Sequence, residues 1–116
     1  MRQLLSHLKA MKDVYAKMGA LTWIVGGDFN TAPDDPRFAA EKTARNLLAD
    51  GFSWIWQGIL ASSRITVPPD ARYPAACFDH IFFRGAIVAK AWVVNTSTQS
   101  SDHRAVEAIV NLPPSQ

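Results

Sequence analysis

Cysteine is nearly absent: Cys77 is the only one in 116 residues, which excludes a disulfide within the chain. That usage fits a reducing compartment, with Cys77 as a small buried apolar residue. Glutamate is scarce too, with Glu41 and Glu107 the only two. No apolar run is long enough to cross a bilayer. Arg2, His7, Lys9, Lys12 and Asp13 interrupt the N-terminus, so it has no apolar signal core. A cytoplasmic protein without membrane attachment is the expectation. No Gly-x-Ser-x-Gly turn marks a serine nucleophile, although Ser101-Asp102-His103 holds the letters of a triad; neighbours on one strand do not converge in space. Without a Cys pair or a His-Glu-x-x-His helix, a zinc site is poorly supported.

What is present is apolar: 48% of the residues, including four tryptophans, enough for one globular domain over 1–116. The formal net charge of +2 permits a phosphate-bearing partner without demanding one. Leu4, Leu8, Met11, Val14, Tyr15 and Met18 recur at helical spacing, with Gly19 as a stop. Leu21–Val25 reads as a buried strand ending at Gly26-Gly27. A second helix is expected from Asp35, as N-cap with Pro36 at the first position, through Ala40, Ala44, Leu47 and Leu48 to Gly51. Phe52–Trp56 reads as a short strand. Ala61–Ala76, with Pro68, Pro69 and Pro74, reads as a long surface loop. Phe78–Phe83, Ile87–Val94 and Arg104–Leu112 read as strands. The expected class is α/β, a mixed β-sheet with two helices on one face. Ile81-Phe82-Phe83 and Ala91-Trp92-Val93-Val94 are apolar on both sides, so the face away from the helices needs a cover.

Three strings place polar groups beside these strands. In Gly26-Gly27-Asp28-Phe29-Asn30, Asp28 and Asn30 sit two apart and project to one side of an extended chain. A carboxylate there can take a proton from water, and an amide can hold that water or a phosphate oxygen. The same string also fits a strand-end turn with local hydrogen bonds. Asp79 lies in an apolar strand and requires a partner, either a backbone amide, an arginine, or an imidazole that it orients. His80 points to the other side and reads as a satisfied core residue. Asp102 and His103 stand at the mouth of the last strand, where Asp102 can bind a hard cation such as Mg²⁺ or Mn²⁺ and His103 can stabilise charge on phosphate. Trp54, Trp56, Arg64, Arg72 and Tyr73 either stack on nucleic acid or form an aromatic core with solvated arginines. A transition-metal site using His80 and His103 is a further reading.

In this order, the three strings resemble the endonuclease/exonuclease/phosphatase superfamily, the fold of deoxyribonuclease I. The resemblance implies Mg²⁺- or Mn²⁺-dependent hydrolysis of a phosphate ester, nucleic acid among the substrates. Asp28 would orient or deprotonate the attacking water and Asn30 would position it. Asp79 would hydrogen-bond His103, which would contact the scissile phosphate, and Asp102 would join Asp28 at the metal. The family fold is a four-layer sandwich of two sheets. Its first half supplies a metal-binding Asn, a metal-binding Glu and a further catalytic residue, and neither Glu41 nor Glu107 matches that Glu. The chain therefore resembles the C-terminal half. Two copies pairing through the apolar sheet face would restore the sandwich as a homodimer, with acids in place of the missing glutamate. A separate chain carrying the first half would also cover that face. The competing class is a catalytically inactive half-domain acting in assembly or binding.

Overall fold

The computed structural model describes residues 2–17, 22–95 and 101–113. Helix α1 spans Arg2–Lys17 and strand β1 spans Trp23–Asp28. Helix α2 (Thr43–Ala49) and strands β2 (Ser53–Trp54), β3 (Asp79–Arg84), β4 (Ile87–Val93) and β5 (Val106–Asn111) follow. The α/β class and the two helices are as the sequence predicts. Leu8 is buried and Leu4 and Leu5 pack against the core, whereas Val14 is exposed. Met18, Gly19 and Leu21 lie outside the described residues.

The strands divide into two antiparallel ladders rather than one sheet. One has the order β1-β3-β2 and the other is the hairpin β4-β5. Strand β1 runs against β3 in the register Ile24↔Phe83, Val25↔Phe82, Gly26↔Ile81 and Asp28↔Asp79. Directly opposed residues share a face. Val25, His80, Phe82 and Trp54 thus form one face, which packs with Leu47, Ala44 and Leu8 of the helices into the main core. Ile24, Gly26, Ile81, Phe83, Asp28 and Asp79 form the other.

The hairpin solves part of the covering problem. A bulge between Val88 and Lys90 shifts its register, so that Val88, Ala91, Val93, Val106, Ala108 and Val110 line up on one face. Those residues, Val110 apart, pack against the core, and the hairpin is a second layer rather than an extension of the first sheet. Lys90, Trp92, Glu107 and Ile109 occupy its outer face, where the Lys90 ammonium lies 5.2 Å from the Trp92 ring centroid. Exposed apolar side chains remain at Ile24, Ile87, Ile109 and Leu112.

The segment expected as one helix from Asp35 is broken in two. Asp35 caps a single 3₁₀ turn, Pro36–Phe38, by accepting the Arg37 N–H. Glu41 then supplies a second start: its Oε1 accepts from the Thr43 backbone N–H at 2.9 Å and from the Thr43 hydroxyl at 2.6 Å. Two acidic caps six residues apart cannot belong to one helix start, and the chain turns between them. Ala40, expected on the buried stripe, is exposed, and Glu41 precedes the helix rather than lying in it. Gly51 closes α2 with φ 93°, a left-handed conformation suited to glycine.

Phe52–Trp56 contains only the two-residue strand β2, which pairs with Phe82 and Phe83. Trp54, Trp56 and Arg64 are buried, so the aromatic-core reading holds for them and nucleic-acid stacking does not. The Arg64 guanidinium lies 4.8 Å from the Trp54 ring centroid and pairs with Asp34. The proline-rich loop is not wholly superficial, since Arg64, Thr66 and Ala76 are buried in it and Val67 bridges Ala76. No described helix is long and apolar enough to cross a membrane.

Candidate active site

Register sets the first two members of the site. Asp28 and Asp79 are directly opposed at the end of the β1-β3 ladder, so their carboxylates share the face turned toward the hairpin. Phe29 N–H donates to Phe78 O at 2.8 Å and prolongs the pairing by one residue. The chain then leaves extended geometry: Asn30 has φ 52°, and its N–H donates to Asp28 Oδ1 at 2.8 Å. That is the local turn the string also permitted. Asn30 and Asp28 therefore do not project in parallel from a straight strand. One oxygen of Asp28 is held by the turn, and Oδ2 is left facing the third member.

The third member is His103. Its Nδ1 lies 2.7 Å from Asp79 Oδ2, and its Nε2 lies 3.8 Å from Asp28 Oδ2. A carboxylate only accepts, so Nδ1 carries the proton and donates to Asp79. The ligand atoms of Asp28, Asp79 and His103 all lie within 4.8 Å of one another. The hydrogen bond to Asp79 is the main reason that the His103 pKa is raised above its ordinary 6.5; the charges of Asp79, Asp28 and Asp102 act in the same direction, against partial burial. Asp102 is exposed beside this cluster, within electrostatic reach of His103 but outside the group of converging atoms.

One residue that sequence reasoning passed over ties these segments together. Thr66, fully buried, accepts at Oγ1 from the backbone N–H groups of Phe78 (2.9 Å) and Asp79 (3.2 Å), while its carbonyl accepts from Arg104 N–H at 2.7 Å. It clamps the start of β3 to the turn that carries His103. Trp56 Nε1 adds a bond to the Asp79 carbonyl at 3.1 Å. The only signal in the sequence was a small hydroxyl flanked by Ile65 and Val67 in an otherwise polar loop.

His80 behaves in the opposite way to His103. It is 1% exposed, accepts from Trp54 Nε1 at 3.0 Å through Nδ1, and donates through Nε2 to Thr31 O at 2.6 Å. Burial lowers its pKa, and both ring nitrogens are engaged, which keeps it neutral. It is a satisfied core residue, and the transition-metal site using His80 and His103 does not form. Burial likewise pushes the Cys77 thiol up to about 11, so it is not a ready nucleophile.

Replacing Asp79 by Asn should lower the His103 pKa, read by NMR titration of the imidazole in metal-free protein. The sign follows from linkage. A pKa raised on folding stabilises the fold below the unfolded value near 6.5, and that contribution fades as pH rises through the folded value. Asp79→Asn should therefore cost stability most on the acid side of neutrality.

The donor set can be matched against a divalent cation. Asp79 and His103 are engaged with each other, so the trio as a whole is a poor oxygen cage. Asp28 Oδ2 and the exposed Asp102 carboxylate are hard oxygen donors, and Mg²⁺ commonly binds through one or two carboxylates and keeps several waters. By donor chemistry alone Asp28 and Asp102 suit such an ion, but only Asp28 belongs to the group whose ligand atoms converge.

A strand-end carboxylate and a second carboxylate that holds an imidazole thus meet at one end of the first sheet. A family model described as Endonuclease/Exonuclease/phosphatase family matches residues 8–103, and the chain belongs to that family. Family members are generally dependent on divalent metals. Neither a curated protein nor a solved structure matches the chain.

Proposed function

We propose that this chain is a metal-dependent phosphoesterase, of nuclease or phosphodiesterase type, that hydrolyses phosphate esters with an activated water. The observation that carries the reading is the convergence of Asp28, Asp79 and His103 from three distant stretches of sequence. The Asp28 Oδ2 to His103 Nε2 separation of 3.8 Å exceeds a hydrogen bond, so both atoms can address one bound group. Asp28 takes a proton from water as the water oxygen bonds to phosphorus, with Asn30 positioning that water. The ester P–O bond breaks, and the departing oxygen takes a proton from solvent. His103, protonated and aimed by Asp79, donates from Nε2 to a phosphate oxygen as negative charge builds there. Asp28 and Asp102 would hold Mg²⁺ or Mn²⁺, which supplies further charge neutralisation at the phosphate.

The reading includes a cytoplasmic setting, supported by the lone, buried cysteine, and a homodimer formed through apolar surface. Ile24 (53% exposed), on the second face of the first sheet, supports the latter, because the hairpin covers only part of that face. Light scattering at micromolar concentration should return twice the 12.8 kDa chain mass; a stable folded monomer contradicts the pairing. For the activity, a chelator should abolish hydrolysis of a generic phosphodiester and Mg²⁺ or Mn²⁺ should restore it. Folded dimer that binds neither ion and turns over no ester would favour the inactive, assembly-only half-domain instead.

A further inference from the structure

The segment that follows β1 and the loop that precedes β3 border a cavity of about 350 Å³, within the size range of small-ligand sites. Ala32, two residues past Asn30, lines it, and so does Cys77, two residues before Asp79. Two residues of extended chain span about 7 Å, so the lining begins within that distance of the backbone that carries the site. The Thr31 carbonyl, bonded to the buried His80 ring, fixes the chain between Asn30 and Ala32.

The polar groups of the lining reach solvent and are held in place. Arg64, 6% exposed, donates from Nε to the Ile59 carbonyl and pairs through Nη2 with Asp34 Oδ2. Asp34 is half exposed, and its Oδ1 has no partner among the described residues. Arg37 binds Asp35 through Nε and Nη2 and the Ala75 carbonyl through Nη2. Its Nη1 is left without a partner among the described residues, on a side chain that is 42% exposed. The cavity thus carries one open acceptor and one open donor, each fixed through other atoms of the same group. Groups fixed in advance lose little freedom when a ligand arrives.

The lining also narrows the kind of ligand. Asp34 and Asp35 offset the two arginines, so there is no net charge to hold a phosphate. Most of the remainder is apolar: Ala32, Pro36, Ala61, Ile65, Ala75 and Ala76. A polyol, polar all round, would set unpaired hydroxyls against carbon. An acyl chain would strip water from the charged pairs without replacing it. A nucleobase has two apolar faces and an edge of donors and acceptors, and guanidinium planes stack on such rings.

We propose that this cavity takes a nucleobase of the substrate, so that the esters selected are nucleotide-based. The inference rests on the phosphoesterase reading for its catalytic consequence, but base binding is read without turnover. Calorimetry on metal-free protein should show at least one of AMP, CMP, GMP and UMP binding about tenfold tighter than ribose 5-phosphate, hydrogen bonds to charged groups being the stronger kind. Backbone amide NMR signals of Ala32, Ala61 and Ala75 should shift with that nucleotide and not with ribose 5-phosphate. Ala61→Phe brings a ring to the cavity from an exposed position on the 3₁₀ turn Ala61–Ser63. It should lower the nucleotide's affinity to that of ribose 5-phosphate. Leu60→Phe, next to it but outside the lining, should keep the preference. If the nucleotide binds in this way and no ester is hydrolysed, the phosphoesterase reading fails and the base site stands. Four nucleotides that bind no tighter than ribose 5-phosphate, amide shifts confined to other residues, or a preference that survives in folded Ala61→Phe would overturn the proposal.

Discussion

Asp28→Asn should cost roughly 10²- to 10⁴-fold in kcat for phosphodiester hydrolysis, the range expected when a positioned general base is lost. That corresponds to about 3–5 kcal/mol of barrier. The change preserves shape. Asn can still accept the Asn30 N–H that Asp28 Oδ1 accepts at 2.8 Å, so the turn that closes β1 is kept. What disappears is the charge opposite His103 and the ability to take a proton from water. The variant should unfold at nearly the wild-type temperature, because Asp28 is exposed and lies outside the core. Full activity in Asp28→Asn would show that the water is activated elsewhere.

Phe82→Ala should destabilise the fold by about 3–5 kcal/mol, read from the midpoint of urea unfolding. Phe82 is fully buried at the centre of β3, and its ring packs edge-on against Phe29, centroids 5.2 Å apart. Its ring centroid lies 5.9 Å from that of His80. Its strand is shared by β1 and β2, so a cavity there loosens both pairings of the first sheet. With total stabilities of small domains near 5–15 kcal/mol, this one truncation removes a large share. Loss of activity in Phe82→Ala should track unfolding, whereas in Asp28→Asn it should not.

The sequence made the site more legible than the layers. Asp28, Asp79 and His103 each sit where an apolar run meets a polar string, and that break in pattern survives without any knowledge of pairing. The withdrawal of His80 into the core follows from side-chain alternation along one strand, whereas the choice of His103 as the partner of Asp79 came from the family resemblance and is what the structure shows. The hairpin layer was hidden for a different reason. Alternation tells which residues share a face but not which ladder a strand joins, and the bulge near Ala89 inverts the alternation halfway along β4. The division of the second helix was hidden by two competing acidic caps, Asp35 and Glu41, since either alone explains a helix start. Thr66 was invisible because its importance lies in what it shares: one carbonyl and one hydroxyl between two segments. Asp102 stays at the rim, and the proposal that it holds a metal rests on its chemistry rather than on convergence with the trio.

The claim that three segments form a single catalytic unit is tested most directly by a double-mutant cycle in kcat for phosphodiester hydrolysis at saturating Mg²⁺. Groups that act as one unit lose their effect together. Asp28→Asn combined with His103→Gln should therefore be about as slow as the slower single variant. Losses that multiply, so that the double variant is slower than either single one by the full product, would mean that Asp28 and His103 work independently and that their convergence is not what drives the chemistry.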